Sequence, residues 1–379
     1  MNCNPCVVVH AGAGYHSKSN ESAYNKLCQE ACKVAASVLL DNGKGAVNAA
    51  SAAVAYLENS SLTNAGFGSN LTYDGLVECD AGMMCGSSLR FAGVGAVSHI
   101  QNPIYAAELL LEEQLRGSHT TLGRIQPCVM FGSGARRWAL EKDPSRFPES
   151  DLISEKSLSD WIKYREWLMD SEAQKPKDGE PQICNVPKKR SRKIGEQSKL
   201  DTVGAVCLDN SGNIAAAVSS GGVALKHEGR IGQACVYGCG CWAEQDDHGS
   251  AVGVVTSGTG EQLIRTQLAQ RTAEQILANR SNPLPDVLET VINDKFLGSR
   301  LLAQDEYRYA GFAGIYSVST ESSRNVEIFF GHTTRSMSIA YFIPRTMSAP
   351  LTTMSRKSCD RPHRLEVFSR SLNLRIVQT

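Results

Sequence analysis

Apolar and polar positions along the chain follow two rhythms. "CVVVHAGAG" (Cys6 to Gly14) is a β-branched run closed by glycines, which predicts a buried strand entering a tight turn. From Ser22 to Leu40 apolar residues return at helical spacing, and "DNG" at Asp41 to Gly43 ends that helix. A second, alanine-rich helix is predicted from about Ala46 to Leu57. "NAGFGSNLTYDGLVECDAGMM" reads as two strand-like pieces joined near Tyr73 to Gly75, and "LRFAGVGAVS" as a further strand. Helical signals return at Pro103 to Glu113 and at Gly134 to Glu141.

The pattern changes between about Asp143 and Leu200. "SEKSLSDWIKYREWLMD" (Ser154 to Asp170) has the spacing of an isolated helix, but the polar, proline-bearing stretch after it has no period. Such a segment buries too little apolar area to offset its ordering entropy, so a flexible tether is expected over about 143–201. Strand patterning resumes with "TVGAVCLD", a turn at "NSGN" and "IAAAVSS", together a hairpin. "AVGVVTSGTGE" (Ala251 to Glu261) predicts a strand feeding a helix from Glu261 to about Ala278. "FAGIYSVST", "NVEIFFGHTT" and "SMSIAYF" predict three more strands, while 343–379 reads as basic and irregular, without an assigned role. Neither side of the tether holds enough strands to close its own core. One α/β domain over 1–379 is expected, with two sheets between helical layers.

Composition narrows the partners. The 379 residues are 42% hydrophobic with 33 glycines, as suits a packed α/β protein, and the formal net charge is zero. No bulk field draws such a chain to nucleic acid or a membrane, and neither is expected as a direct partner. No apolar run nears the ~18 residues of a membrane span, and the N-terminus lacks the marks of a secretory signal. Thirteen scattered cysteines are an odd number and make no disulfide framework. Cys239 and Cys241 form a tight pair without the companions a zinc site needs. The cysteines therefore read as buried thiols in a reducing compartment, and no metal or cofactor is implied.

The candidate chemistry begins at "KLDTVGAVCLD", where an Asp-Thr pair joins the tether to a strand. A linker has to end somewhere, and Thr starts strands well. The alternative is a cut between Asp201 and Thr202. That cut would give Thr202 a free α-amine of pKa about 8 beside its own hydroxyl, uniting base and nucleophile in one residue. Thr202 Oγ could also make the cut, by an N-to-O acyl shift onto the Asp201 carbonyl followed by hydrolysis. Ser220, at the end of the partner strand, is placed to hold the nucleophile's proton, or else is a serine bonded to backbone. Lys226 and Arg230 lie in the glycine-bracketed loop "KHEGRIGQ". A guanidinium there suits a carboxylate, or is a solvated loop arginine. In "SGTGE", the Thr259 hydroxyl and the Gly260 amide suit an oxyanion, or belong to a plain turn or phosphate cradle. The phosphate alternative lacks a Walker lysine.

"HAGAG", "NAGFGSNL", "ECDAGMM", "DTVGAVCLDNSGNIAAAVSSGG", "GRIGQ" and "TSGTGE" occur in an order that resembles the type 2 asparaginase family of N-terminal nucleophile hydrolases. Within it the chain resembles the threonine-aspartase (taspase) branch, over roughly 5–135 and 200–340. The resemblance implies a four-layer αββα sandwich, cut into a 1–201 α-half and a 202–379 β-half. It implies Thr202 as nucleophile, Ser220 as its neighbour, Arg230 as carboxylate anchor and Thr259 with Gly260 as oxyanion hole. Gly12 and Asn64 would lie near the scissile centre. Family members acting on free asparagine or β-aspartyl peptides carry an aspartate where this chain has Gln233. A neutral amide tolerates a peptide bond but cannot balance an ammonium, which implies an endopeptidase cutting after aspartate.

The branch implies protein substrates with an internal aspartate, namely nuclear regulators such as trithorax-type methyltransferases and general transcription factor IIA. It also implies dimers of cut units. "PKKRSRK" supplies Lys188, Lys189, Arg190, Arg192 and Lys193, as an import-receptor signal or a solvated basic tether. The import reading places a cytoplasmic precursor's product in the nucleus. Two alternatives stand beside it: an L-asparaginase or isoaspartyl peptidase, and an uncut, non-catalytic binding module.

Overall fold

The computed structural model describes residues 4–41, 43–117, 121–147, 150–173, 201–320, 323–357 and 365–375. An eight-stranded sheet takes its strands from both sides of the Asp201–Thr202 junction. In spatial order it runs β12 (Leu351–Arg356), β11 (Ser336–Phe342), β1 (Cys6–Gly14), β5 (Val203–Leu208), β6 (Ile214–Ser220), β2 (Cys79–Cys85), β3 (Arg90–Val97) and β4 (Val129–Phe131). Only the β3–β4 pair is parallel. The second sheet runs β13 (Glu366–Arg375), β10 (Ser323–His332), β9 (Ala310–Ser319), β8 (Ser250–Gly258) and β7 (Cys241–Gln245), all antiparallel.

The uninterrupted apolar run of β1 has a direct cause, since both its faces are buried. Val7, Val9 and Ala11 pack with residues of α1 (Glu21–Leu40), α2 (Ala46–Glu58) and α3 (Pro103–Leu115), whereas Val8 packs with Val252, Val254 and Phe312 of the second sheet. The strand period of two thus sends alternate side chains into two cores. Helix α7 (Leu268–Ala278) covers β7 and β8 from beyond, followed by α8 (Leu284–Thr290). Each fully buried Val or Leu contributes roughly 1.5–3 kcal/mol. The eight-stranded sheet therefore holds the junction through residues from either side of it.

Several elements depart from the sequence pattern. The segment before Tyr73 is not a strand; it makes a 3-10 turn at Gly66–Gly68 and one isolated bridge, Thr72 to Lys226. The helix expected from Glu261 to Ala278 is two, α6 (Gly260–Thr266) and α7, broken at Gln267, whose φ of 49° is left-handed. Strand β7 was hidden beside the Cys239–Cys241 glycine turn. The region from Ile343 is not irregular, because β12 extends the first sheet and β13 the second. Both are edge strands, and one-sided burial leaves them polar enough to read as loop.

The stretch from Asp143 toward the junction is partly helical. Helix α4 (Gly132–Lys142) precedes it and α5 (Glu155–Ala173) lies within it, and α5 is docked rather than isolated. Trp161 Nε1 donates to the Thr72 carbonyl at 2.9 Å, Arg165 Nη1 to the Tyr73 carbonyl at 3.2 Å, and the Arg165 guanidinium lies 4.3 Å from the Tyr73 ring centre. The basic run from Lys188 to Lys193 lies outside the described residues. Of the ten described cysteines all but Cys128 are buried and none is bridged.

Candidate active site

Thr202 precedes β5, and Ser220 ends β6. Since Val203 pairs with Ser219 in that antiparallel ladder, the register brings the two hydroxyls together. Thr202 Oγ1 donates to Ser220 Oγ at 3.1 Å and accepts from Gln233 Nε2 at 3.0 Å. Ser220 Oγ also accepts the Gly222 amide at 3.1 Å. The nucleophile candidate is therefore fixed by one acceptor and one donor, with its proton aimed at Ser220. All three side chains are buried, in accord with the rule that enclosed polar atoms are paired.

Asn64, Thr202, Ser220, Gly222, Val223, Arg230, Gln233, Gly258 and Gly260 line one cavity of about 10 Å³. That is room for about one water, not for a peptide. Arg230 Nε and Nη2 both donate to Glu261 Oε1, at 2.9 and 2.7 Å. Gly260, the first residue of α6, is a glycine because a Cβ there would lie 2.9 Å from Arg230 Nη2 and 3.0 Å from Gln233 Oε1. Asn64 Nδ2 donates to the Gly222 carbonyl at 2.7 Å, and its Oδ1 accepts the Asn70 amide, so it braces the cavity wall. Thr259 caps α6 through its backbone, gives its amide to the Tyr309 carbonyl, and does not line the cavity.

Lys226 is a correction. The sequence suggested a substrate contact, but Lys226 is buried and its Nζ donates to the Glu78 carbonyl at 2.6 Å, outside the cavity. It supports the loop instead. Asp80 does the same work: its Oδ2 accepts the Gly232 amide at 2.7 Å and its Oδ1 the Ala96 amide at 2.9 Å. Burial raises the Asp80 pKa, against the pull of Lys226 and those amides. Asp80 thus ties the Arg230–Gln233 segment to β2 at Gly232, and Lys226 ties the start of the loop to Glu78.

On the other side of the junction, Gly12 has φ +103°, and a Cβ on it would stand 2.5 Å from the Asp201 Cα. Only glycine lets β1 and the junction approach so closely. The Asp201 carboxylate is 1% exposed, with Oδ1 3.5 Å from His16 Nε2 and Oδ2 3.5 Å from the Tyr24 hydroxyl. His10, paired with Gly204, is fully buried, and that burial pushes its pKa down to about 3, against a backbone bond to Thr202. It is a neutral imidazole beside the nucleophile's backbone. His10, His16, Tyr24, Asp80 and Glu261 were not singled out from the sequence. His10 and His16 flank the "AGAG" end of β1, a visible hint, but Tyr24 looks like any apolar position of α1.

Among the described residues no group of three or more His, Cys, Asp or Glu is placed to hold a metal ion. Two bonded hydroxyls and a guanidinium thus share one cavity, on an α/β scaffold of two sheets flanked by helices. The chain belongs to the type 2 asparaginase family, whose model, described as Asparaginase, matches residues 3–296. It is 31% identical over 293 residues to the isoaspartyl peptidase of Escherichia coli K12, covering 76% of this chain and 82% of that protein. It is 33% identical over 271 residues to the isoaspartyl peptidase/L-asparaginase of Homo sapiens, covering 71% and 76%. The Bos taurus protein of the same description is 34% identical over 269 residues, covering 70% and 75%.

Proposed function

We propose that the chain is a self-activating threonine hydrolase that cuts polypeptides after aspartate, in the manner of the threonine aspartases. The observation that carries this reading is Gln233. Its neutral amide touches the Thr202 hydroxyl, and among the described residues no aspartate or glutamate lines the cavity to balance a substrate's free ammonium. Arg230 supplies the charge an aspartate side chain needs, and its fork of donors suits a carboxylate. The packing of α1–α3 on one sheet, of that sheet on the second, and of α7 beyond supports a four-layer αββα arrangement and a single domain spanning both halves.

Activation follows from the junction. Thr202 Oγ attacks the Asp201 carbonyl carbon while its proton passes by way of Ser220 to the Thr202 nitrogen. The C–N bond breaks and an ester joins Asp201 to Oγ. Water then splits that ester, leaving an Asp201 carboxylate, the restored hydroxyl and a free α-amine. The amine, of pKa about 8 in an unperturbed chain, thereafter serves as general base for a second peptide. Withdrawal of the chain before Thr202 would give the small cavity room for that substrate.

A second reading rests on the relatives, which are named isoaspartyl peptidases and L-asparaginases. Self-cut protein should be offered three substrates: a peptide with an internal aspartate, a β-aspartyl dipeptide and free asparagine. Hydrolysis of the first alone supports the endopeptidase, and hydrolysis of only the other two overturns it in favour of the second reading. Nuclear transcription regulators as substrates, an import receptor for the Lys188–Lys193 run and pairing of cut units belong to the same proposal. Mutating those five cations and following the protein's distribution tests the import step.

A further inference from the structure

The aspartate at the junction and the aspartate of a second substrate meet different walls. Asp201 is bonded to the nitrogen of Thr202, and its carboxylate runs toward β1 and α1. Its neighbours there are His16, Tyr24 and Gly12. Arg230 lies with Gln233 and Gly260 along the cavity on the Oγ side, and its guanidinium is engaged by Glu261 rather than by Asp201. None of Asp201, His16 or Tyr24 lines that cavity. In the uncut chain the other approach to Oγ is filled by Asp201 and its neighbours, so the cavity is the side on which Arg230 is placed to meet an aspartate from outside. The junction's acyl group arrives from the nitrogen side instead.

The His16–Tyr24 corner is built to receive a carboxylate. The two rings meet edge to face, with centres 4.6 Å apart, so each limits the other's movement. His16 Nδ1 faces the Ser336 hydroxyl at 2.9 Å, while Nε2 faces two acceptors, the Ala11 carbonyl at 3.2 Å and Asp201 Oδ1. That arrangement assigns the ring proton to Nε2, toward Asp201. Tyr24 gives its hydroxyl proton mainly to the Leu62 carbonyl at 2.7 Å and lies 3.5 Å from Asp201 Oδ2. Burial and the Asp201 charge both raise its pKa, so it stays a phenol. Contacts of 3.5 Å are long for hydrogen bonds. They orient the carboxylate by charge and dipole beside the junction.

We propose that His16 and Tyr24 form a second, intramolecular aspartate site that aligns Asp201 for self-cleavage, separate from the Arg230 site that selects aspartate in other polypeptides. The inference rests on the self-activating endopeptidase reading above. It makes His16 and Tyr24 positioning residues: they orient the junction carbonyl through the Asp201 side chain. It also explains why one residue type precedes both cuts without one pocket serving both.

The test is a reversal of rank between two assays on the full chain. Tyr24→Phe and His16→Gln are compared with Arg230→Ala, first for the rate of self-cutting on denaturing gels. The cut material that accumulates is then assayed for kcat/KM on a peptide with an internal aspartate. Tyr24→Phe and His16→Gln should slow self-cutting about 10-fold or more, with a smaller effect on peptide turnover. Arg230→Ala should show the opposite order, losing about 100-fold or more in peptide turnover and less in self-cutting. If Arg230→Ala slows self-cutting more than either ring variant, one site serves both cuts and the inference falls alone. Equal losses in both assays for Tyr24→Phe and His16→Gln reveal a merely structural corner and also overturn it. Should one ring variant fail to fold, the other supplies the comparison. A wild-type chain that never cuts overturns the endopeptidase reading and this inference with it.

Discussion

Replacing Gln233 by glutamate preserves shape and changes only the chemistry at the nucleophile. Gln233 is 2% exposed, and its Nε2 donates to Thr202 Oγ1 across 3.0 Å. Glutamate removes that donor and sets a negative charge beside the oxygen that attacks and the anion that forms. Losing one hydrogen bond to a buried partner costs about 1–3 kcal/mol. Repulsion between unit charges 4 Å apart is about 4 kcal/mol at an effective dielectric of 20. That figure is a ceiling, because an enclosed carboxyl takes up a proton rather than hold an unbalanced charge. A net loss of about 2–3 kcal/mol remains, roughly 30- to 150-fold in kcat/KM on a peptide with an internal aspartate. A substrate bearing a free α-ammonium reverses the sign, since the new carboxylate attracts it. After desolvation, a gain of about 1–2 kcal/mol, roughly 5- to 30-fold, is expected on a β-aspartyl dipeptide. Both substrates are measured on self-cut enzyme at one pH, with product release followed by chromatography. Unchanged peptide turnover, or a gain on the peptide in place of the dipeptide, would refute the role assigned to Gln233.

Thr202→Val should leave one band near 41.0 kDa after prolonged incubation, and any continued cleavage at that junction removes Thr202 as nucleophile. Gly12→Ala forces an alanine to φ +103° and a methyl to 2.5 Å from the Asp201 Cα; strain of about 1–3 kcal/mol or more should slow self-cutting at least ~10-fold by gel time course, and wild-type rates would show that the close approach is unimportant. Glu58, buried under the Gly66 turn, has its pKa raised from 4.5 to about 8 by burial, against bonds from Ser219, Asn102 and Ile104. The folded chain thus binds the extra proton: the contribution is fully present below pH 4.5, falls as pH rises and is lost above about 8, by up to about 1.4 kcal/mol per pH unit. Glu58→Gln should flatten that decline in denaturant unfolding across the same window, and an unaltered slope would show that another group titrates.

The β-branched apolar run of β1, the helices α1 to α3, the β5–β6 hairpin and the strands β8 to β11 were legible because local pattern dictates them: a short apolar run closed by glycines, or a period of two or of 3.6, marks the element before any long-range contact exists. The Thr202–Ser220 pairing was legible too, since a hairpin of known turn fixes its own register. The edge strands β12 and β13 were not, because their pairing partners lie elsewhere in the chain and their half-solvated faces carry little pattern.

Residue identity therefore settled which groups could do chemistry: a threonine behind an aspartate, an arginine in a glycine-bracketed loop, an amide where a carboxylate would grip an ammonium. Tertiary structure alone decided which of them meet. It turned Lys226 inward to the Glu78 carbonyl, gave Arg230 to Glu261, and lodged Asp201 against His16 and Tyr24. Those outcomes depend on backbone groups and side chains brought together from distant parts of the chain when the sheets close, and no spacing along a single strand encodes them.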